Sequence, residues 1–254
     1  HGVKDWYRGN RPIVEQGYDN TLFGDEAVRL ISQHKGDKPL FIYLAFTAPH
    51  SPYQAPDKFV KPYESVSDEQ RRLYSAMVTA MDDSIQRVIA ALERKGMRDN
   101  TMIVFQSDNG GVRSAMFAGE SKVGNNLPAD NGPFRDGKGT LYEGGTRVVG
   151  FMDWPGHIRP GTIEGMAHVV DMYPTIAAIT GAKLEKNKPL DGINLWPAIS
   201  EGTPTPRKEV IYNVDPTGGA IREGDMKLVW TAGLPGKVEL FDLGAHPLAR
   251  YAPF

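Results

Sequence analysis

Residues 67–95 carry the most regular pattern of apolar and polar positions in the chain. Apolar side chains recur there at steps of three and four, the spacing of one face of an α-helix. They are Leu73, Met77, Met81, Ile85, Ile89 and Leu92. Ser67 and Gln70 have the spacing of a capping box, and Gly96 is a typical residue just beyond a helix end. The pattern predicts a long amphipathic helix that stops at Gly96.

Two short segments have a different pattern, with no polar residue among the apolar ones. Residues 40–46 (LFIYLAF) and 102–105 (MIVF) are continuous apolar runs, which is typical of strands buried on both faces of a sheet. The strand–helix–strand order predicts an α/β fold with a mostly parallel sheet flanked by helices. Such sheets bind ligands beyond the carboxyl ends of their strands, where His50 and the pair Asp108–Asn109 follow the two runs.

Weaker patterns predict the remaining elements. Segment 25–35 predicts a short helix, and residues 147–152 predict a third strand. Asp171 and Gly181 have the residue types of a helix N-cap and a helix stop. Near the end of the chain, three strand-like segments predict a small antiparallel sheet: EVIYNV, AIREGDMKLVW and KVELFDL.

Composition narrows the possible functions. The 254 residues are 40% hydrophobic and 24% charged, with a formal net charge of −2, which suits one large domain or one domain plus a small appendage. A charge near zero gives no electrostatic footprint for nucleic acid or an anionic membrane surface. The sequence has no cysteine, which excludes disulfides, thiolate metal ligands and a cysteine nucleophile within it.

Lys138 lies in an aperiodic segment, residues 110–145, that is rich in Gly, Asn and Asp. Gly132, Gly137 and Lys138 have the GxxxxGK spacing of a phosphate-binding P-loop. A true P-loop, however, follows a buried strand, opens a helix and has Ser or Thr after its lysine, whereas Gly139 follows here. The sequence therefore disfavours a nucleotide site. It leaves open whether Lys138 binds another oxyanion or is a solvated surface lysine.

Several stretches occur in one order along nearly the whole chain: FIYLAFTAPHSPYQAP, TMIVFQSDNGG, GKGTLYEGGTRVVGFMDWPG, DMYPTIAAITG, LDGINLWPAI and the later IREGDMKLVW with ELFDL. Together they resemble the sulfatases, and most closely the arylsulfatases of the N-acetylgalactosamine-4-sulfatase type. The resemblance implies an alkaline-phosphatase-like α/β fold. In it, residues 1–205 would be the C-terminal part of the catalytic domain and residues 206–254 a small, truncated antiparallel subdomain.

The resemblance also implies an activity and its cofactors. Sulfatases hydrolyse sulfate monoesters, and the expected substrate here is a sulfated small molecule or carbohydrate. The expected cofactor is a calcium ion, and the expected nucleophile is a formylglycine. Family membership alone points to a periplasmic, secreted or lysosomal protein, and the sequence carries no signal for an oligomeric state.

Four residues match functional positions of that family. Asp108 and Asn109 match calcium ligands, and carboxylate and amide oxygens suit such a hard cation. Lys138 matches the lysine that contacts the sulfate and stabilises charge on the leaving oxygen. His50 matches the histidine that assists departure of the alcohol. Each has a structural alternative: a turn after a strand for Asp108–Asn109, and a polar strand end for His50. We expect all four side chains to converge on one anion-sized site.

The family's nucleophile motif, C/S-x-P-x-R, is absent from the sequence. Also absent are the paired aspartates that complete the calcium site. The chain resembles a sulfatase from about a third of its length onwards, so we expect this polypeptide alone to be inactive, because covalent catalysis needs its nucleophile. We also expect weak calcium binding, since two ligands fall short of the roughly six to eight that calcium takes, and bare apolar sheet edges.

Two other functions fit the same residues. A related phosphodiesterase or phosphonate hydrolase could use the same type of metal site and oxyanion lysine. A non-catalytic binding module could keep the fold without the nucleophile. A C/S-x-P-S-R motif encoded upstream of His1 would support the sulfatase, whereas an in-frame start at His1 would support the binding module.

Overall fold

The computed structural model describes residues 6–114, 116, 127–184 and 189–246. These residues form two compact units, and the first contains residues 6–98 and 127–129. The second unit contains the remaining described residues, from residue 99 onwards. None of the helices in the described ranges has both the length and the apolar character needed to cross a membrane.

The first unit is mainly helical. Its elements are β1 (Tyr7–Arg8), β2 (Arg11–Pro12), α1 (Asp19–Gln33), α2 (Asp57–Val60) and α3 (Glu69–Arg94). Helices α1 and α3 pack closely where Gly24 faces Ser84, because a Cβ on Gly24 would lie 2.8 Å from the Ser84 Cβ. Ser84 Oγ also donates to the Asn20 carbonyl oxygen, at 3.1 Å. Small residues on both helices therefore allow this contact.

Helix α3 confirms the long helix predicted from the apolar stripe, with a different N-cap. The capping residue is Asp68, whose side chain accepts a hydrogen bond from the Arg71 amide at 2.8 Å, and not Ser67. Gly96 follows the helix with a φ of 67°, a left-handed conformation that glycine adopts without strain. The helix predicted over 25–35 also exists, but it starts earlier, at Asp19.

The prediction of a buried strand over residues 40–46 is wrong. This segment has no strand pairing, and Phe41 and Tyr43 are 75% and 83% exposed. The two strands described in this unit, β1 and β2, pair with each other. A strand forms when a neighbouring strand satisfies its backbone groups. An apolar run therefore predicts a preference for burial but does not supply the partner.

The second unit contains helices and antiparallel strands. Its elements are β3 (Ile103–Gln106), α4 (Glu143–Thr146), β4 (Gly150–Asp153), α5 (Met172–Thr180), α6 (Trp196–Glu201), β5 (Glu209–Asp215), β6 (Gly218–Glu223), β7 (Met226–Thr231) and β8 (Lys237–Asp242). Strands β3 and β4 confirm the strands predicted near 102–105 and 147–152, and Phe105 pairs with Phe151. The α/β class is confirmed. The strand pairs formed by the described residues are antiparallel, however, and not parallel as predicted. The prediction missed this because the burial pattern that indicated β3 carries no information on strand direction.

The predicted C-terminal sheet is confirmed as a four-stranded antiparallel meander in the order β5-β6-β7-β8. One face of it carries a small apolar cluster of Ala220, Val229, Phe241 and Leu243. Leu141 and Tyr142 pack against this cluster. The residues that follow Lys138 are therefore packed onto the sheet.

Helix α5 ends as predicted at Gly181, which has a φ of 68°. Asp171 occupies the N-cap position, but its buried carboxylate has other partners: the amides of His168 and Ile193, each at 2.8 Å, and the Arg207 guanidinium. Burial by itself would raise the pKa of Asp171, but these hydrogen bonds outweigh burial and lower it. The Asp171 carboxylate thus connects three segments of the second unit, those that contain His168, Ile193 and Arg207.

Candidate active site

Main-chain hydrogen bonds hold the loop of Lys138 against the end of β3. The Lys138 amide donates to the Gly111 carbonyl at 3.2 Å, and the Gly110 amide donates to the Gly145 carbonyl at 3.0 Å. Asn131 adds a side-chain bridge, because its Oδ1 accepts from the Gly111 amide at 2.8 Å. The segment that begins with Asp108 and the loop that carries Lys138 therefore belong to one network.

Glycines make this close packing possible. A Cβ on Gly137 would collide with the Gly111 carbonyl, and a Cβ on Gly110 would collide with the Gly144 carbonyl. A Cβ on Gly144 or on Gly145 would likewise collide with carbonyl oxygens of the loop. Glycine at these positions thus lets two backbone segments touch. Of the two glycines in the P-loop-like spacing, Gly137 thus has a packing role, whereas a Cβ on Gly132 would meet nothing within 4 Å.

The structure also disfavours a P-loop by its secondary structure. No strand precedes Lys138 between residues 127 and 137. The next helix, α4, starts at Glu143 and has four residues. In a P-loop a helix begins directly at the lysine, and the N-terminus of that helix binds the phosphates. Lys138, which is half-buried, therefore belongs to a turn.

Asp108 and Asn109 follow β3 and have oxygen atoms available for a cation. Asn109 Nδ2 donates to Asp108 Oδ2, and Ser107 Oγ donates to the Asn109 carbonyl at 2.9 Å. Within the described residues, the Oδ1 atoms of Asp108 and Asn109 have no hydrogen-bond partner. One carboxylate and one amide oxygen fit calcium by chemical type.

Two candidate ligands are too few for a complete calcium site. The described residues contain no group of three or more His, Asp or Glu side chains that could hold a metal ion. Calcium takes about six to eight oxygen ligands. Asp108 and Asn109 therefore fit part of a calcium shell, and no catalytic step can be derived through the metal from this chain.

His50 lies at an exposed turn of the first unit. Its Nδ1 is 2.7 Å from the Ser51 carbonyl oxygen, and its amide donates to the Thr47 carbonyl at 2.9 Å. Because a carbonyl oxygen can only accept, Nδ1 carries the proton in this contact. The other ring nitrogen, Nε2, is then the atom that can exchange a proton with a substrate.

Asn20, which sequence reasoning did not identify, holds this turn. The Asn20 side chain is 1% exposed. Its Nδ2 donates to Thr47 Oγ1 at 3.1 Å, and its Oδ1 accepts from the Ala48 amide at 3.1 Å. Thr47 Oγ1 in turn donates to Asp19. In sequence, an Asp-Asn pair before a helix is an ordinary cap signal, which gives no indication of this role.

The C-terminal sheet binds the loop that carries Lys138. Glu239 on β8 accepts hydrogen bonds from Arg135 Nη1, at 3.0 Å, and from the Tyr142 hydroxyl. Burial by itself would raise the pKa of Glu239, but hydrogen bonds from Lys237, Tyr142 and Arg135 outweigh it and lower the pKa to about 2. Burial and the Glu239 carboxylate raise the pKa of Tyr142 to about 12.

Three of the four predicted site residues lie on segments that contact each other through their backbones. Gly110 and Gly111, which directly follow Asp108 and Asn109, are hydrogen-bonded to the loop that carries Lys138 in the second unit. His50 belongs to the first unit, and its convergence with the other three stays a prediction.

Comparison with known proteins identifies the family of this chain. The sequence profile of the family described as Sulfatase matches residues 2–182. Arylsulfatase J of Mus musculus is 35% identical over 217 residues, which are 85% of this chain and 34% of that protein. Human N-acetylgalactosamine-6-sulfatase is 32% identical over 195 residues, which are 76% of this chain and 35% of that protein. The chain thus spans about a third of the length of these curated relatives.

A solved structure has the same fold. Ps i-CgsB in complex with k-i-k-neocarrahexaose superimposes with a TM-score of 0.82 at 30% sequence identity, covering 96% of this chain and 52% of that one. The alkaline-phosphatase-like fold predicted from the sequence motifs is confirmed by such neighbours.

Proposed function

Because the chain belongs to the sulfatase family, we propose that the whole protein hydrolyses sulfate monoesters. The observation that carries this proposal is the network that joins the Asp108 segment to the Lys138 loop. These backbone bonds support the proposal that the oxygen ligands of Asp108 and Asn109 act beside the ammonium group of Lys138. A sulfate ester needs both kinds of group, because its oxygens are anionic and its leaving oxygen gains charge as the S–O bond breaks.

Lys138 is proposed to bind the sulfate and stabilise the leaving oxygen. Its main chain is held by the bond to Gly111, which fixes the point from which the flexible side chain would extend to the sulfate. A charged donor at the leaving oxygen contributes roughly 3–4 kcal/mol to the lowering of the barrier. Lys138→Ala in the whole protein should therefore reduce kcat about a hundredfold or more.

His50 is proposed to donate a proton to the departing alcohol. Because Nδ1 donates to the Ser51 carbonyl, the proton given to the alcohol comes from Nε2, and the ring must be doubly protonated before the transfer. The Asn20 side chain holds the turn. General acid catalysis by a positioned histidine typically contributes a factor of about 10²–10⁴.

Asp108 and Asn109 are proposed to supply two oxygen ligands of a calcium ion. When bound, calcium would offset the negative charge of the sulfate and of the nucleophile. The nucleophile is proposed to be a formylglycine contributed from outside these 254 residues, since the motif that carries it is absent here. This polypeptide alone is therefore proposed to be inactive.

The proposed substrate class is a sulfated carbohydrate. The named relatives support this choice, since one is an N-acetylgalactosamine-6-sulfatase and the structural neighbour was solved with k-i-k-neocarrahexaose.

The test is an assay of the whole protein with an aryl sulfate and an aryl phosphate, beside its Lys138→Ala variant. A sulfatase should hydrolyse the sulfate at least a hundredfold faster than the variant does. Preference for the phosphate or for a phosphonate ester would favour the phosphorus hydrolase. Absence of turnover with all esters, together with no C/S-x-P-S-R motif in the encoding gene, would favour the binding module.

A further inference from the structure

A buried ion pair lies behind the loop of Lys138. Lys227 on β7 is 1% exposed and Glu143 on α4 is 2% exposed. Lys227 Nζ donates to Glu143 Oε1 at 2.8 Å and to Thr146 Oγ1 at 3.1 Å. The ammonium group also lies 4.5 Å from the centre of the Tyr212 ring. Both charges are thus removed from water and satisfied by partners within the second unit.

Such a pair is poor evidence for a stabilising role. Desolvation of two buried charges offsets much of their attraction, and well-packed apolar residues often replace them without loss of stability. Burial accordingly lowers the pKa of Lys227, against the opposing effect of Glu143. The pair has a second property: its directional hydrogen bonds connect β7 to both ends of helix α4, at Glu143 and Thr146.

Helix α4 is the point at which the two parts of the candidate site meet. On one side, the Gly145 carbonyl accepts from the Gly110 amide at 3.0 Å, directly after Asn109. On the other side, the Gly144 amide donates to the Arg135 carbonyl at 2.8 Å. A shift of α4 would therefore change the position of the Asp108–Asn109 segment relative to the Lys138 loop.

The C-terminal sheet holds this loop at a second place. Glu239 binds Arg135 and Tyr142, and the Arg135 guanidinium lies 3.7 Å from the centre of the Tyr142 ring. Arg135 precedes Lys138 and Tyr142 follows it. The sheet thus contacts the loop on both sides of Lys138 in the chain, and the ion pair adds the contact to α4.

We propose that Lys227 is a positioning residue for Lys138, acting through Glu143 and helix α4. The ion pair sets the register of α4 between the two segments, and thereby the placement of the Lys138 ammonium relative to the oxygens of Asp108 and Asn109. The effect on catalysis rests on the proposed sulfatase function, whereas the effect of the ion pair on the position of α4 is independent of that function.

The experiment compares the whole protein with three variants. Lys227→Met removes the nearer cation of the buried carboxylate and leaves it only Arg147 Nη1, at 3.8 Å, whereas Lys227→Met with Glu143→Met replaces both charges of the pair by apolar side chains of similar length. Lys208→Met is the matched control, because Lys208 is exposed and lies beside the same sheet. The measurements are kcat and KM with an aryl sulfate, thermal unfolding, and hydrogen exchange at the amides of Gly110, Lys138 and Gly144.

The double variant separates positioning from stability. We expect the double variant to unfold within a few degrees of the wild-type unfolding temperature. Its kcat should nevertheless be at least tenfold lower than that of the wild type, with KM changed less than threefold. Hydrogen exchange at the three amides should be faster. The control should match the wild type in every measurement. Recovery of kcat together with stability would overturn the proposal, because the pair would then be purely structural.

Hydrogen exchange keeps the two proposals distinguishable. If the wild type hydrolyses no sulfate ester, the proposed function fails, and the exchange rates still report whether the ion pair fixes α4. If the wild type is active and the three amides exchange equally in the wild type and the double variant, the positioning role fails while the proposed function stands.

Discussion

The side chain of Asn131 pairs with the backbone of Gly111 at two points. Asn131 Oδ1 accepts from the Gly111 amide at 2.8 Å, and Asn131 Nδ2 donates to the Gly111 carbonyl at 2.9 Å. The same Nδ2 donates to the Asp136 carbonyl at 2.7 Å. One side chain thus satisfies backbone groups of both segments that form the candidate site.

Replacement of Asn131 by Ala should loosen this connection. The substitution leaves the Gly111 amide without a side-chain partner, and an unsatisfied group of this kind costs about 1–3 kcal/mol. We expect urea unfolding of the whole protein to show a loss in that range, and kcat to fall about tenfold. Gln106→Ala, at an exposed position at the end of β3, should change neither. Equal stability of both variants would contradict the role of Asn131.

Gly137→Ala tests the close packing of the loop. A Cβ at residue 137 collides with the Gly111 carbonyl, so the backbone must move, and overpacking of this kind costs roughly 1–3 kcal/mol. We expect kcat to fall at least tenfold, because Lys138 is the next residue. Gly161→Ala is the matched control, since a Cβ there meets open space. Steady-state kinetics and thermal unfolding measure both effects, and an unchanged kcat in Gly137→Ala would contradict the packing role.

The fold could be predicted where local patterns decide the structure. Helix α3 follows from an apolar periodicity of 3.6 residues and the C-terminal sheet from strand-like segments, and both are observed. The strand predicted for residues 40–46 is not observed, because strand pairing depends on a partner strand, which the apolar run does not specify. The antiparallel pairing of β3 with β4 was missed for the same reason, since burial patterns carry no direction.

The candidate site shows the same limit. Lys138, Asp108 and Asn109 could be proposed from motifs, because their residue types carry the chemistry. The residues that hold them could not, since Asn20 and Asn131 have ordinary turn and cap residue types. Lys227 did leave a signal: within the apolar strand MKLVW it is the one charged residue, at an alternating position shared with the buried Val229. A buried partner for it could have been expected from that position.

Asn20→Ala should loosen the turn that carries His50. The substitution removes the bonds to Thr47 Oγ1 and to the Ala48 amide, both at a buried position, and should destabilise the protein by about 1–3 kcal/mol. Faster hydrogen exchange at the Ala48 amide would report the local effect. Gln86→Ala, on the exposed side of α3, should leave that exchange rate unchanged. Unaltered exchange in Asn20→Ala would mean that the turn is held in another way.

Glu239 should make stability depend on pH in acid. Its pKa in the folded protein is about 2, against an ordinary value of 4.5. A lowered carboxylate pKa contributes stability that is complete above the ordinary value and is lost as the pH falls towards the folded value. We therefore expect Glu239→Gln to be less stable than the wild type at pH 7, by about 2 kcal/mol, and the difference to shrink between pH 4.5 and pH 2.

Thermal unfolding of both proteins at pH 7, 4.5, 3 and 2 measures this difference. Glu223→Gln, at an exposed position on β6, is the control and should follow the wild type throughout. A stability difference for Glu239→Gln that stays constant from pH 7 to pH 2 would mean that the ionised form of Glu239 does not carry the bonds to Arg135 and Tyr142.

Calcium binding should depend on Asp108 in the whole protein. Asp108→Asn keeps the shape of the side chain but removes one negative charge from the cation site, and calcium affinity depends on the number of charged ligands. We expect calorimetric titration of the chelator-treated protein with calcium to show at least tenfold weaker binding in this variant. Asp82→Asn, at an exposed position on α3, should bind as the wild type does. Equal affinities for all three proteins would exclude Asp108 as a ligand, and Asp108–Asn109 would then be a turn that follows β3.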